Sequence, residues 1–206
     1  MPDFHDLTEE EITHRLKKAG EQPLDSARES LFPSEMWTEP PRPAAVLIPL
    51  LKHNGFWQIL YTRRTPTLAE HSGQVAFPGG RADLDDPDPE TTALREAQEE
   101  IGLNPADVRL LGRMQALQTI SNYRVTPVVG RIPWPYPFRL AGEEVSRIFT
   151  IPLAWLADPQ NWEERQRPLP APYAPVSVIY FRLYDGELLW GISAALTVQL
   201  LTLLLA

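Results

Sequence analysis

The amino-acid sequence predicts one domain of the α/β or α+β sandwich class, preceded by a short N-terminal arm. Three observations point there. Apolar runs of strand length recur between segments of helical periodicity, a mixture that packs as a sheet with helices laid against it. Two of those runs are joined by His53-Asn54-Gly55, and Asn-Gly between apolar runs is a strong hairpin signal. The chain has 206 residues, 43% of them hydrophobic and 22% charged, which suits one decorated core and argues against a disordered chain.

Each element follows from local pattern. Over Leu7 to Ala19, Leu7, Ile12 and Leu16 share one side of a helical period and charges fill the rest. A proline-rich connector containing Pro40-Pro41-Arg42-Pro43 follows, so residues 1–43 read as helical arm and connector and 44–206 as the domain proper. Ala44 to Leu51 fits a buried strand, and Phe56 to Thr62 is its hairpin partner. Gln74 to Gly80 is a brief strand ending in Pro78-Gly79-Gly80, followed by an acidic loop over Arg81 to Pro87. Asp88-Pro89-Glu90 starts a helix, because Asp caps and Pro is tolerated at the first helical position. That helix runs to about Ile101, where Gly102 provides a C-terminal stop. Strands are expected near Val108 to Gln115, Tyr123 to Ile132 and Val176 to Tyr184, with a short helix near Pro152 to Ala157. The uncharged run Leu188 to Ala206 predicts a terminal helix packed on the core. It is marginal in length for a membrane span, carries several polar residues and lacks a basic flank.

Composition excludes several functions. The formal charge is -8, whereas nucleic-acid binding asks for a Lys/Arg surface. An acidic chain that binds an anionic substrate needs a cation to help. There is no cysteine, which removes disulfides, thiolate nucleophiles and cysteine zinc sites. The acidic start lacks the apolar stretch of a signal peptide, so a cytoplasmic location is expected.

The candidate chemistry lies on the helix that begins at Asp88. Glu96, Glu99 and Glu100 are three and four residues apart and occupy one arc, while Leu94, Ala97 and Ile101 fall on another side and are expected to face the core. Three clustered carboxylates on a helix usually just face water. Here Pro78-Gly79-Gly80 precedes them, and glycine lets a backbone approach a ligand closely or bare a carbonyl. Arg95 beside them can orient a carboxylate through a bidentate hydrogen bond. Mg²⁺ takes oxygen ligands and shares them with phosphates, so a hard cation would reverse the repulsion.

These residues resemble the Nudix hydrolase signature. Its second half is complete as Arg95, Glu96, Ala97, Gln98, Glu99, Glu100, Ile101, Gly102 and Leu103, and its glycine resembles Gly80. One extra residue lies between Gly80 and Arg95, and Asp86 stands where a glutamate is usual. The upstream acid is therefore Asp83, Asp86 or neither. A second motif, Thr62-Arg63-Arg64-Thr65 followed by His71-Ser72-Gly73-Gln74-Val75-Ala76-Phe77-Pro78-Gly79-Gly80, resembles the coenzyme A pyrophosphatase branch of that family. That branch often has an arginine where this chain has Ala69. The resemblance implies a Nudix α/β/α sandwich with a mixed central sheet, and Mg²⁺ (or Mn²⁺) as cofactor. It implies that the Gly79 carbonyl, Glu96 and Glu100 ligate metal, with Glu99 joining directly or through water. By analogy alone it allows a possible homodimer.

In such a site Glu99, Glu96 or Glu144, the last in the Gly142-Glu143-Glu144-Val145 loop, is a candidate to take a proton from water, and Arg95 supports them. Arg63 and Arg64 are candidates to grip substrate phosphate, with Gly80, Arg81 and Arg124 as further contacts. His71 reads as a structural loop histidine. The leading expectation is hydrolysis of a small-molecule diphosphate, coenzyme A or a derivative, to 3′,5′-ADP and 4′-phosphopantetheine. Ala69 favours the alternative of another nucleoside diphosphate derivative such as ADP-ribose. A non-catalytic ligand-binding module that kept the fold is the third reading.

Overall fold

The computed structural model describes residues 4–20, 32–66 and 73–206. Helix α1 (Glu9–Gly20) covers the expected arm, with Ile12 and Leu16 buried. Strands β1 (Arg42–His53) and β2 (Phe56–Arg64) form the expected hairpin. Asn54 and Gly55 both have positive φ (51° and 83°), the two-residue turn whose twist matches antiparallel strands.

The single strand expected over Gln74 to Gly80 is two pieces, β3 (Val75–Ala76) on β2 and β4 (Gly79–Arg81) on β1. Pro78 has no N–H for a ladder, and its carbonyl instead accepts from Leu47 as the chain crosses between neighbours. Helix α2 (Pro89–Ile101) follows. Strands β5 (Arg109–Arg113) and β6 (Leu117–Gln118) both pair with β7 (Tyr123–Arg131). Strand β7 runs parallel to β1, whereas β2 and β4 run antiparallel to it, which makes the central sheet mixed.

Besides the short β6, two strands go beyond the sequence expectation. Strand β8 (Val145–Pro152) pairs with β2, and β9 (Trp162–Arg167) pairs with β10 (Val176–Phe181) in a separate ribbon. Every residue of β9 after Trp162 is polar and exposed, so no apolar alternation marks it. The short helix α3 (Leu153–Leu156) follows β8, and α4 (Gly191–Leu205) closes the chain.

The sheet is covered on both faces. One face packs Leu47, Leu51 and Leu60 against Ala93, Ala97 and Ile101 of α2. The other packs Ile48, Leu50, Ile59 and Tyr61 with Ile12 and Leu16 of α1 and Leu196 and Leu200 of α4. The buried Tyr61 hydroxyl shares a 2.8 Å hydrogen bond with Thr197 of α4. Its burial raises the phenol pKa well above the ordinary tyrosine value. This is the α/β/α sandwich with a mixed sheet. Among the described residues, no helix is long and apolar enough to cross a membrane.

Candidate active site

Helix α2 is defined at both ends as its sequence dictates. Asp88 accepts from the Thr91 N–H at 2.8 Å, Pro89 opens the first turn, and Gly102 ends the helix in the left-handed region. The core-facing stripe is Ala93, Ala97, Glu100 and Ile101. Leu94, expected in the core, is only half-buried. Glu100 is the buried one, at 3% exposure. The three glutamates therefore sit in different surroundings. Glu100 points under the sheet edge, Glu96 is partly covered, and Glu99 faces solvent.

The strand end at Gly79-Gly80 creates the other wall. Gly79 has φ +156°, and a Cβ there would lie 2.5 Å from the Ala45 carbonyl oxygen. Its N–H donates to Glu100 Oε2 at 3.3 Å. Gly80 faces Glu96 so closely that a Cβ would lie 2.6 Å from the carboxyl carbon. Gly80 thus leaves the space into which Glu96 fits, while Gly79 leaves room for β1 and offers its N–H to Glu100.

Arg95 organises the polar face. Its Nε and Nη2 donate to both Asp86 oxygens at 3.3 and 3.0 Å. Its Nη1 donates to Glu96 Oε1 at 2.8 Å and Glu99 Oε2 at 3.1 Å, and Nη2 also reaches the Arg81 carbonyl at 3.0 Å. Thr92 adds a 2.9 Å hydrogen bond to Asp86. Of the two upstream acids, Asp86 is the one Arg95 grips in two-pronged fashion; Asp83 lies 3.7 Å from Nε. The Arg95 hydrogen bond holds the Asp86 carboxyl down at about 2.

The paired arginines part company. Successive strand residues point to opposite faces. Arg64 lies on the α2 side, with Nη1 3.5 Å from Glu100 Oε1. Arg63 lies on the α4 side, 3.4 Å from Glu187, whose buried carboxylate also accepts from Arg147 at 2.8 Å. Sequence reasoning missed Arg147 and Glu187, which sit in segments with no motif. The Nε atoms of both Arg63 and Arg64 are buried without a hydrogen-bond partner. Arg81 projects from the edge strand into solvent, and Ala69 and His71 lie outside the described residues.

Glu144 lies on a loop tied to the C-terminal end of α2. The Ala141 N–H donates to the Glu100 carbonyl at 2.9 Å, and the Glu144 N–H to the Ala141 carbonyl at 2.8 Å. This turn sets Glu144 where its charge raises the proton affinity of both Glu96 and Glu100. Burial is the larger cause in each case. It raises Glu96 and pushes Glu100 up to about 8, against the pull of Arg64.

Among the described residues, no three acidic or imidazole side chains already converge on one point. Arg95 holds Glu96 and Glu99, while Gly79 and Arg64 hold Glu100. The donor chemistry nevertheless fits a hard divalent cation. Every side-chain donor is a carboxylate oxygen, and the partial cover of Glu96 and the burial of Glu100 oppose their charge, a cost that a cation offsets.

Residues 40–171 match the family described as NUDIX domain. The chain is similar to a protein of Pectobacterium atrosepticum described as an uncharacterized Nudix hydrolase NudL, 38% identical over 167 residues, covering 77% of this chain and 81% of the relative. A protein of the same description from Yersinia pestis is 38% identical over 156 residues, covering 75% and 76%. Among solved structures, a C. elegans Ap4A hydrolase binary complex is similar over 54% of this chain and 80% of its own, with TM-score 0.47 and 20% identity. That likeness is too low for any inference about substrate. The family match and the two relatives agree with the helix and strand end described above: the chain belongs to the NUDIX domain family, as a Nudix hydrolase acting on a diphosphate linkage.

Proposed function

We propose that this enzyme splits coenzyme A, or a close derivative, into 3′,5′-ADP and 4′-phosphopantetheine with the help of Mg²⁺ or Mn²⁺. The Gly79 carbonyl, Glu96 and Glu100 would hold the cation, with Glu99 joining directly or through water. The observation that carries the metal assignment is the pair of covered carboxylates at the strand end, Glu96 against Gly80 and the buried Glu100 against the Gly79 N–H. The substrate assignment rests on the Thr62 to Gly80 resemblance and on Arg64, which stands beside Glu100 with a free Nε.

Held there, a divalent cation would neutralise charge on the phosphate oxygens and lower the pKa of water. The protein's own groups do the rest. Arg64 binds a phosphate oxygen by a charge-assisted hydrogen bond. Arg95, fully engaged, orients Glu96 and Glu99. Water attacks one phosphorus, the bridging P–O bond breaks, and the other phosphate leaves with that oxygen. Glu144 accepts the proton the water loses, from a loop tied to α2 at the Glu100 carbonyl.

Purified protein with Mg²⁺ is incubated with coenzyme A, ADP-ribose and dinucleoside polyphosphates, and the products are identified by mass. Coenzyme A should give 3′,5′-ADP and 4′-phosphopantetheine. Cleavage of ADP-ribose with coenzyme A untouched would reject the substrate and favour the reading that Ala69 supports. Turnover of nothing, without Mg²⁺ binding, would point to a ligand-binding module.

A further inference from the structure

Strand β2 does not end in a simple ladder. Its pairing with β8 matches Arg63 with Arg147, then shifts register so that Arg64 meets Val145. Such an irregularity re-aims the residues that follow it, often beside an active site. The residue that follows is Thr65, and both of its donors go to the Glu144 loop. Its N–H donates to the Glu144 carbonyl at 2.8 Å. Its Oγ1 donates to the Gly142 carbonyl at 3.2 Å. The same loop is tied to α2 through Ala141 and the Glu100 carbonyl. The turn over Gly142 to Glu144 is therefore pinned on one side to the helix that carries Glu96 and Glu100. On the other side it is pinned to the strand that carries Arg64.

We infer that Thr65 is a positioning residue for the reaction, its hydroxyl holding the Gly142 to Glu144 turn that carries the Glu144 carboxylate. The inference rests on the assignment of Glu144 as proton acceptor. The backbone bond from Thr65 survives any substitution. The hydroxyl bond is the part a side-chain change removes, and it ties β2 to the Gly142 carbonyl within the turn. Arg64 keeps its place on β2 when Thr65 changes, so substrate grip should be spared.

The test is a double-mutant cycle in steady-state kinetics on the intact chain, with the substrate that the product analysis identifies. Thr65→Val keeps the β-branched shape and deletes the hydroxyl. It should lower kcat about 3- to 10-fold, the effect of one net hydrogen bond, with KM within about twofold. Thr65→Ser keeps the hydroxyl and should restore kcat to near the wild-type value. In a Glu144→Gln background Thr65→Val should cost nothing further, because the group it positions is gone. Wild-type kcat in Thr65→Val overturns the inference. So does an equal loss in the Glu144→Gln background, which would place the effect elsewhere in the fold. A Glu144→Gln enzyme with full activity would instead remove the assignment beneath it. A wild-type protein that cleaves no diphosphate would remove the function itself, and the inference with it.

Discussion

Replacing Gly80 by alanine separates the fold from the chemistry. No positive φ constrains Gly80, so alanine suits its backbone. What stands in the way is the end of one side chain. A Cβ would lie 2.6 Å from the Glu96 carboxyl carbon, while ordinary contact begins at 3.4 Å. The carboxylate must retreat by about 0.8 Å, and it can, because it is the far end of a flexible chain. In retreating it strains the 2.8 Å hydrogen bond from Arg95. Misplacing a catalytic group by about an ångström costs on the order of 10²-fold. The expected loss in kcat/KM is therefore about 10- to 100-fold, or roughly 1.4–2.7 kcal/mol. The melting temperature should fall by less than about 4 °C, since the fold loses at most about 1 kcal/mol. The assay is Mg²⁺-dependent product release at several substrate concentrations, beside a thermal melt of the same sample. Wild-type kcat/KM in Gly80→Ala would refute the role given to Glu96. A collapse of the melt would show that the loss came through folding.

Two further outcomes follow from the same wall. Gly79→Ala should destabilise by about 3 kcal/mol or more, a fall of roughly 6–12 °C, because its φ of +156° is foreign to alanine and its Cβ meets backbone of β1; a melt within 2–3 °C of wild type, by the same scaling, would contradict this. Glu100 links stability to pH. Its folded pKa of about 8 exceeds the ordinary 4.5, so its contribution is complete below that ordinary value and is lost as pH rises toward about 8. Metal-free protein should therefore melt progressively lower from about pH 5 to about pH 8, and MgCl₂ should raise the melt more at the upper end than at the lower. An equal Mg²⁺ effect at both ends would argue against Glu100 as a ligand.

Local chemistry was legible in the sequence and long-range partnership was not. The Asn54-Gly55 hairpin and both ends of α2 follow from residues adjacent in the chain. The α2 polar arc was legible in outline, but its finer sorting was not. Glu100 is buried with Gly79 and Arg64 against its carboxylate, whereas Leu94 is only half-buried. Strand β9 carries no apolar pattern because both of its faces meet solvent. The split between Arg63 and Arg64 could have been read from the two-residue period of a strand. The partner that claims Arg63 could not, since Glu187 lies 124 residues away. Thr65 closes the Thr62-Arg63-Arg64-Thr65 motif. Its position just after a strand end was the one local signal that its hydroxyl could turn toward a loop.

The central claim is that the carboxylates of α2 hold a divalent cation, and direct binding tests it without reference to any substrate. Mn²⁺ titrated into metal-free protein, followed by the loss of its free electron-paramagnetic-resonance signal, should show saturable binding to the wild-type chain. Glu100→Gln should bind at least about tenfold more weakly while its thermal melt shows a folded protein, since removing one carboxylate ligand costs more than about 1.4 kcal/mol. Mn²⁺ bound by Glu100→Gln with wild-type affinity would contradict the claim.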